Sequence, residues 1–200
     1  MTDAVTVDDI RRALERAAEP SSDFDLNPAV QLPTGRKLRD AAVLMLVSEG
    51  ESGPDVVLTK RSAHLKHHPG QISFPGGKKD PEDADLWATA LREAREEIGL
   101  NSADVEPLGM LPPHETVTSF TVTPKIAVLN RPQDWVPEVG EVEEVFTVPL
   151  RHVLRPENFI VEGRIWQGSV RRYYAVPYGP YYIWGATARI LRGLAERVAA

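Results

Sequence analysis

The segment "DADLWATALREAREEIGL", residues 83–100, constrains this chain more than any other. Trp87, Leu91, Ala94 and Ile98 recur at the helical period, and Gly99 stands where a left-handed residue ends a helix. The pattern predicts a helix from about Asp85 to Ile98. At about 100° per residue, Glu97 sits about 40° from Glu93 on the helical wheel and Glu96 about 60° to its other side. Three carboxylates therefore share one sector beside an apolar stripe, so one flank can pack on a sheet while the next presents acid. Exposed like charges one turn apart repel by a few tenths of a kcal/mol per pair, and Arg92 and Arg95 offset part of that. Two readings stand at this point: a solvated helix face, or a set of hard oxygen donors for divalent cations.

The preceding segment favours the second. From Val56 to Lys79 there is no Asp or Glu, while Lys60, Arg61, Lys66, Lys78, Lys79, His64, His67 and His68 all fall there. A basic loop beside a carboxylate cluster suits an anionic substrate that also needs a metal; uneven charge on a solvated surface is the alternative. Gly76 and Gly77 allow the main chain to approach closely. Together these features describe a phosphoanhydride site.

Composition removes other classes. The net charge of -6 argues against a general nucleic-acid surface. The absence of cysteine excludes disulfides, thiolate-bound zinc and cysteine nucleophiles, and fits a reducing cytosol, so a cytoplasmic location is expected. The longest strongly apolar run, "AAVLMLV" at 41–47, is far short of the roughly 20 residues of a membrane span and reads as a buried strand. The acidic start "MTDAVTVDDI" does not read as a signal peptide, and no Gly-x4-Gly-Lys-Ser/Thr run occurs.

The 200 residues are expected to form one domain with a decorated N-terminus: a helix and arm over 1–38, then a single domain over 39–200 that includes a C-terminal hairpin and helix. Thr6 and Asp9 have capping-box spacing ahead of a helix over 6–18. Residues 20–37, rich in Pro, Ser and Asn, read as an ordered arm. Strands are expected at 42–47 and 56–60 around a turn at 48–55, followed by a long loop to Gly77. Further strands are expected at 107–111, 122–129 and 142–148, with a hairpin of 159–166 and 170–176. A closing helix over 184–198 would place Trp184, Ala188, Leu191, Ala195 and Val198 on one face. Strands mixed with a few helices imply an α/β or α+β sandwich.

"REAREEIGL", residues 92–100, resembles the core of the Nudix box, R-E-U-x-E-E-x-G-U with U apolar: Arg92, Glu93, Ala94, Glu96, Glu97, Gly99 and Leu100 fill its constrained places. The stretch "LTKRSAHLKHHPGQISFPGG", residues 58–77, resembles the signature that precedes the box in the coenzyme A diphosphatase branch, through Leu58, Thr59, Arg61, Ser62, Gly70, Phe74, Pro75, Gly76 and Gly77. "YYIWGATARIL", residues 181–191, is also similar to that branch. Two departures stand out. Lys66 occupies a place where arginine is expected, which keeps the charge and loses the bidentate fork. Ala84 occupies the place of the box's early glutamate, with Asp80, Asp83 and Asp85 close by.

The resemblance implies a Nudix-type α/β/α sandwich with a mixed sheet and a catalytic loop-helix-loop. It implies hydrolysis of the coenzyme A pyrophosphate to 3′,5′-ADP and 4′-phosphopantetheine, with Mg²⁺ or Mn²⁺ as cofactor. Glu93 and Glu97 are the expected metal ligands. Glu96 is a further ligand or helps orient the water, and Arg92 holds a glutamate carboxylate in place. Arg61, Lys66, Gly70, Gly76 and Gly77 are the expected substrate-binding residues, and Glu141 or Glu144 is a candidate base or late metal ligand. His67 and His68 either touch phosphates or are ordinary loop histidines. The C-terminal aromatics Tyr173, Tyr174, Tyr178, Tyr181 and Tyr182 suit core packing, a homodimer interface or a pantetheine groove. ADP-ribose or NADH hydrolysis, and a non-catalytic nucleotide-binding module, are the competing readings.

Overall fold

The computed structural model describes residues 5–30, 32, 35–66, 68–166 and 168–200. Helix α1 (Val7–Glu15) opens the described chain, and both halves of the Thr6–Asp9 capping box are formed. The arm contributes β1 (Ser21–Ser22), which runs parallel to β7 (His114–Glu115). The body is built on β2 (Arg39–Gly50), β3 (Gly53–Arg61), β4 (Ile72–Ser73), β5 (Gly76–Lys78), α2 (Leu86–Ile98), β6 (Val105–Met110), β8 (Phe120–Leu129) and β9 (Val142–Pro149). A short helix α3 (Leu150–Val153) leads to β10 (Ile160–Trp166), β11 (Ser169–Tyr178), β12 (Tyr181–Trp184) and the last helix, α4 (Ala186–Ala199).

Strand β2 is the hinge of the architecture. It pairs in parallel with β8, from Arg39↔Phe120 to Val47↔Val128, and antiparallel with β3 and β5. The main sheet is therefore mixed, with order β1-β7-β8-β2-β3-β4; β5 pairs with β2, β6 with β8 and β9 with β3. Alternate residues of β2 enter different cores. Met45 and Val47 pack with Ile10, Leu150, Leu191 and Leu194, whereas Leu44 and Leu46 pack with Ala90, Ala94 and Ile98 of α2. A strand covered on both faces reads as a continuous apolar run, which is why "AAVLMLV" has no alternation. Strands β10, β11 and β12 form a separate antiparallel sheet.

Three expectations need correction. The turn expected over 48–55 is far tighter, because strand pairing continues to Gly50↔Gly53 and Gly53 at φ 112 reverses the chain in little space. The loop expected up to Gly77 is interrupted by β4 and β5, which pair with β3 and β2. The closing helix starts after Gly185 (φ 67), so Trp184 does not share its face. Instead Tyr181–Trp184 is a strand paired with β11, an arrangement that suits its aromatic and β-branched residues. Gln167, part of the expected hairpin connection, and His67 lie outside the described residues.

Candidate active site

Helix α2 is held at both ends by its own sequence. The Asp85 side chain accepts hydrogen bonds from the Trp87 and Ala88 amides, and Gly99 at φ 69 closes the C-terminus. Ala90, Ala94 and Ile98 seat the helix on the sheet. That seating turns Glu93 and Glu97 toward β5.

Two glycines make the approach feasible. A Cβ at Gly77 would lie 2.5 Å from the Glu93 carboxyl carbon, so any side chain there would displace the carboxylate. A Cβ at Gly76 would lie 2.4 Å from the Ala42 carbonyl oxygen, so only glycine lets β5 pair with β2 at Val43↔Gly76. The freed Gly76 amide donates to Glu97 Oε2 at 3.1 Å. Glu97 is 5% exposed, and Arg61 Nη1 stands 3.9 Å from its Oε1.

The electrostatics of the pair are unfavourable when it stands alone. Burial pushes the Glu97 carboxyl up to about 7; the Glu93 charge adds to this, while the Gly76 amide and Arg61 oppose it. Burial also raises Glu93, against the opposing effect of Arg92. Glu141 lies in the same neighbourhood: the Glu138 amide donates to the Glu97 carbonyl at 2.9 Å and the Glu141 amide to the Glu138 carbonyl at 3.1 Å, and the Glu141 charge adds to the upward shift of both glutamates. Its backbone carbonyl accepts the Ser62 amide at 2.8 Å. Glu144 is turned elsewhere and accepts the Tyr181 hydroxyl at 2.6 Å.

Arg92 organises the acidic side. Its Nη1 donates to Glu93 Oε1 at 2.9 Å and to Glu96 Oε2 at 3.1 Å, so it does hold glutamate carboxylates. Its stronger grip is on Asp83, through Nε and Nη2, both at 3.0 Å. Asp83 also accepts the Asp80 amide and the Thr89 hydroxyl, each at 2.9 Å. Arg92 and these bonds hold its carboxyl far below the usual carboxylate range. Sequence reasoning missed this role. The available signal was an acid one place before Ala84, nine residues ahead of the arginine.

The structure thus brings together Arg61, Gly76, Gly77, Arg92, Glu93, Glu97 and Glu141. Glu96 stays exposed on the Arg92 side. Gly70, at φ 68, ties the loop back by donating to the Arg61 carbonyl at 3.1 Å. Lys66 is exposed on that loop, with no ion pair among the described residues. Among the described residues no three His, Asp or Glu side chains converge as a ready-made cage. A buried Glu97 beside a half-buried Glu93, both raised chiefly by burial, still fits a hard divalent cation, because such ions take few carboxylates and complete their shell with waters and substrate phosphates.

A mixed α/β sandwich with this acidic helix beside a glycine-lined strand is the architecture of the Nudix class of hydrolases. The NUDIX domain model matches residues 37–165. A protein of Salmonella paratyphi B described as an uncharacterised Nudix hydrolase, NudL, is 40% identical over 160 residues, covering 80% of this chain and 83% of that protein. Its counterpart in Salmonella newport matches to the same extent. The crystal structure of a MutT/nudix family protein from Enterococcus faecalis superposes with a TM-score of 0.50 at 16% identity, covering 98% of this chain and 75% of that one, and shares the fold. The chain belongs to the Nudix family. It is a hydrolase of pyrophosphate bonds in nucleoside diphosphate derivatives, in a family that generally uses divalent metal ions. No helix among the described residues is long and apolar enough to cross a membrane.

Proposed function

We propose that the chain is a cytoplasmic coenzyme A diphosphatase, using Mg²⁺ or Mn²⁺ to cleave coenzyme A or an acyl derivative into 3′,5′-ADP and 4′-phosphopantetheine or its acyl form. The observation that carries this reading is the meeting of two sequence signatures in one place. Arg61 and Gly76, from the segment similar to the coenzyme A branch, both address Glu97 of the box helix.

Each residue then has a task. Glu93 and Glu97 hold the ion, with the Gly76 amide fixing the orientation of Glu97. Arg92, braced by Asp83, keeps Glu93 and Glu96 in register, and Glu96 is a further ligand or orients the attacking water. Glu141, rather than Glu144, is the candidate base that takes the proton of that water. Arg61 is always charged and forks onto two oxygens, so it meets the diphosphate. Lys66 and Gly70 shape and charge the loop that covers it. When bound, the divalent ion polarises the phosphoryl oxygens, acidifies the water and steadies the leaving phosphate.

The test is a product assay by mass spectrometry in ¹⁸O-water, with coenzyme A, its oxidised and acyl forms, ADP-ribose and NADH as substrates. Release of 3′,5′-ADP with the highest kcat/KM on a coenzyme A substrate is the expected result. A clear preference for ADP-ribose or NADH would reassign the substrate, and binding without turnover would mark a nucleotide-binding module.

A further inference from the structure

A second hollow lies on the other flank of α2. Strands β5 and β8 lie on opposite sides of β2; Glu93 faces β5, whereas Trp87 faces Lys125 of β8. Here a cavity of about 700 Å³ opens between the first turn of α2, β6, β8 and the ends of α1 and α4. That volume is within the range of small-molecule sites. None of Arg61, Gly76, Gly77, Glu93 or Glu97 lines it.

Its charged lining is unbalanced. Lys125 is 6% exposed, and its ammonium stands 5.3 Å from the Trp87 ring centroid. The hydrogen bond it makes is to Met110 Sδ at 3.4 Å, a weak acceptor. Burial pushes the Lys125 ammonium below its ordinary value, opposed by the charge of Asp85. Arg197 is 9% exposed. Its Nη2 donates to the Leu14 and Arg16 carbonyls, while Nε and Nη1 have no hydrogen-bond partner among the described residues. The Arg16 charge next to it repels the guanidinium. Lys79 is the fourth cation of the lining. Two carboxylates, Asp40 and Asp85, also line it, and Asp85 is committed to capping α2.

Buried charges in folded proteins are paired, because an unpaired one forfeits its hydration with no return. Lys125 and Arg197 are both more than nine-tenths buried, and among the described residues neither makes an ion pair with a carboxylate; Asp85 acts on Lys125 only at longer range. The partner they lack is an anion, and several cations around one hollow favour a doubly charged one. The remaining wall is apolar, with Trp87, Leu111, Pro112 and Pro113, so the anion is attached to an apolar or ring-shaped body. We propose that this cavity is a second ligand site, which takes a phosphate monoester of a small apolar or aromatic molecule, with Lys125 and Arg197 supplying the charge and Trp87 contacting the body. The site goes beyond the hydrolytic reading and does not depend on it.

Calorimetric titration of the metal-free protein in EDTA with phenyl phosphate tests this. Saturable binding near one equivalent is expected, unchanged within about twofold in Glu97→Gln. Lys125→Met should weaken it by at least about tenfold, as should replacing phenyl phosphate with phenol, since loss of a charge-assisted contact costs at least that much. Inorganic phosphate should bind more weakly than the ester, which separates the headgroup from the body. Arg197→Met should act in the same direction, but it also frees two carbonyls of the α1 end. Lys125→Met is therefore the deciding variant, since the one hydrogen bond it gives up is to a thioether. Absence of saturable binding at millimolar concentrations would overturn the proposal. So would binding that survives Lys125→Met and disappears in Glu97→Gln.

Discussion

The two flanks of α2 are electrostatic opposites. Toward β5, a buried and a half-buried carboxylate stand with too little positive charge to settle them; toward β8, two buried cations make no ion pair among the described residues. Both flanks share the same helix and the same strand β2, so the difference arises from which side chains the register brings to each side. Folded proteins rarely leave buried charge unanswered. Where they do, the answering charge comes from outside, and here each flank calls for a ligand of the sign it lacks.

The sharpest way to break this contrast is to neutralise one flank. Glu97→Gln should lower metal-dependent kcat by about 10²–10³-fold, the scale of losing a transition-state charge contact. Steady-state kinetics at saturating metal would check it, and a loss under twofold would mean that Glu97 is not in the reaction centre.

Next comes the pH response of the metal-free protein. Glu97 is raised from an ordinary 4.5 to about 7, so its ionisation works against the fold. The sign follows from proton binding: between these values the native state holds a proton that the unfolded state has lost, so stability falls as pH rises from about 4.5 and levels off above about 7. The full drop is on the order of 3 kcal/mol. Glu97→Gln should remove this part of the slope in chemical denaturation, and so should saturating Mn²⁺ at neutral pH.

Asp83→Asn sharpens the comparison from a distance, since Asp83 touches Arg92 and not Glu93. Loss of such a bracing partner should cost about 10–100-fold in activity or metal affinity, and kcat should fall more than KM changes. The smallest effect is expected on the other flank. Lys125→Met should leave the melting temperature unchanged or slightly higher, because it replaces an unpaired buried charge with an apolar chain of similar length. A strongly destabilised Lys125→Met would mean that the ammonium is satisfied within the protein.

Much of the acidic flank was legible because its determinants are local. The bounds of the helix, the stripe of Trp87, Leu91, Ala94 and Ile98, Gly99 and the glutamate spacing all lie within one segment, and helical periodicity reports them directly. The capping box at Thr6 and Asp9 was readable for the same reason. What escaped depended on partners far along the chain. Trp184 fits a helical face by spacing, and its strand pairing with Ala175 decides otherwise. The role of Asp83 needs the loop after β5 to fold back onto Arg92. Lys125 falls within the strand expected at 122–129, and its burial follows only from the register Leu44↔Lys125 and from its contact with Trp87. The basic cavity is assembled from segments as distant as Arg16 and Arg197, a kind of proximity that no local pattern encodes.

The parallel seam between β2 and β8 also governs how the protein is made. During translation Arg39 must wait for Phe120, and Val47 for Val128, a delay of seconds at roughly 5–20 residues added per second. Throughout that interval the nascent chain displays its most apolar stretch with one edge unpaired, so a ribosome-bound chaperone would find its natural client in residues 41–47.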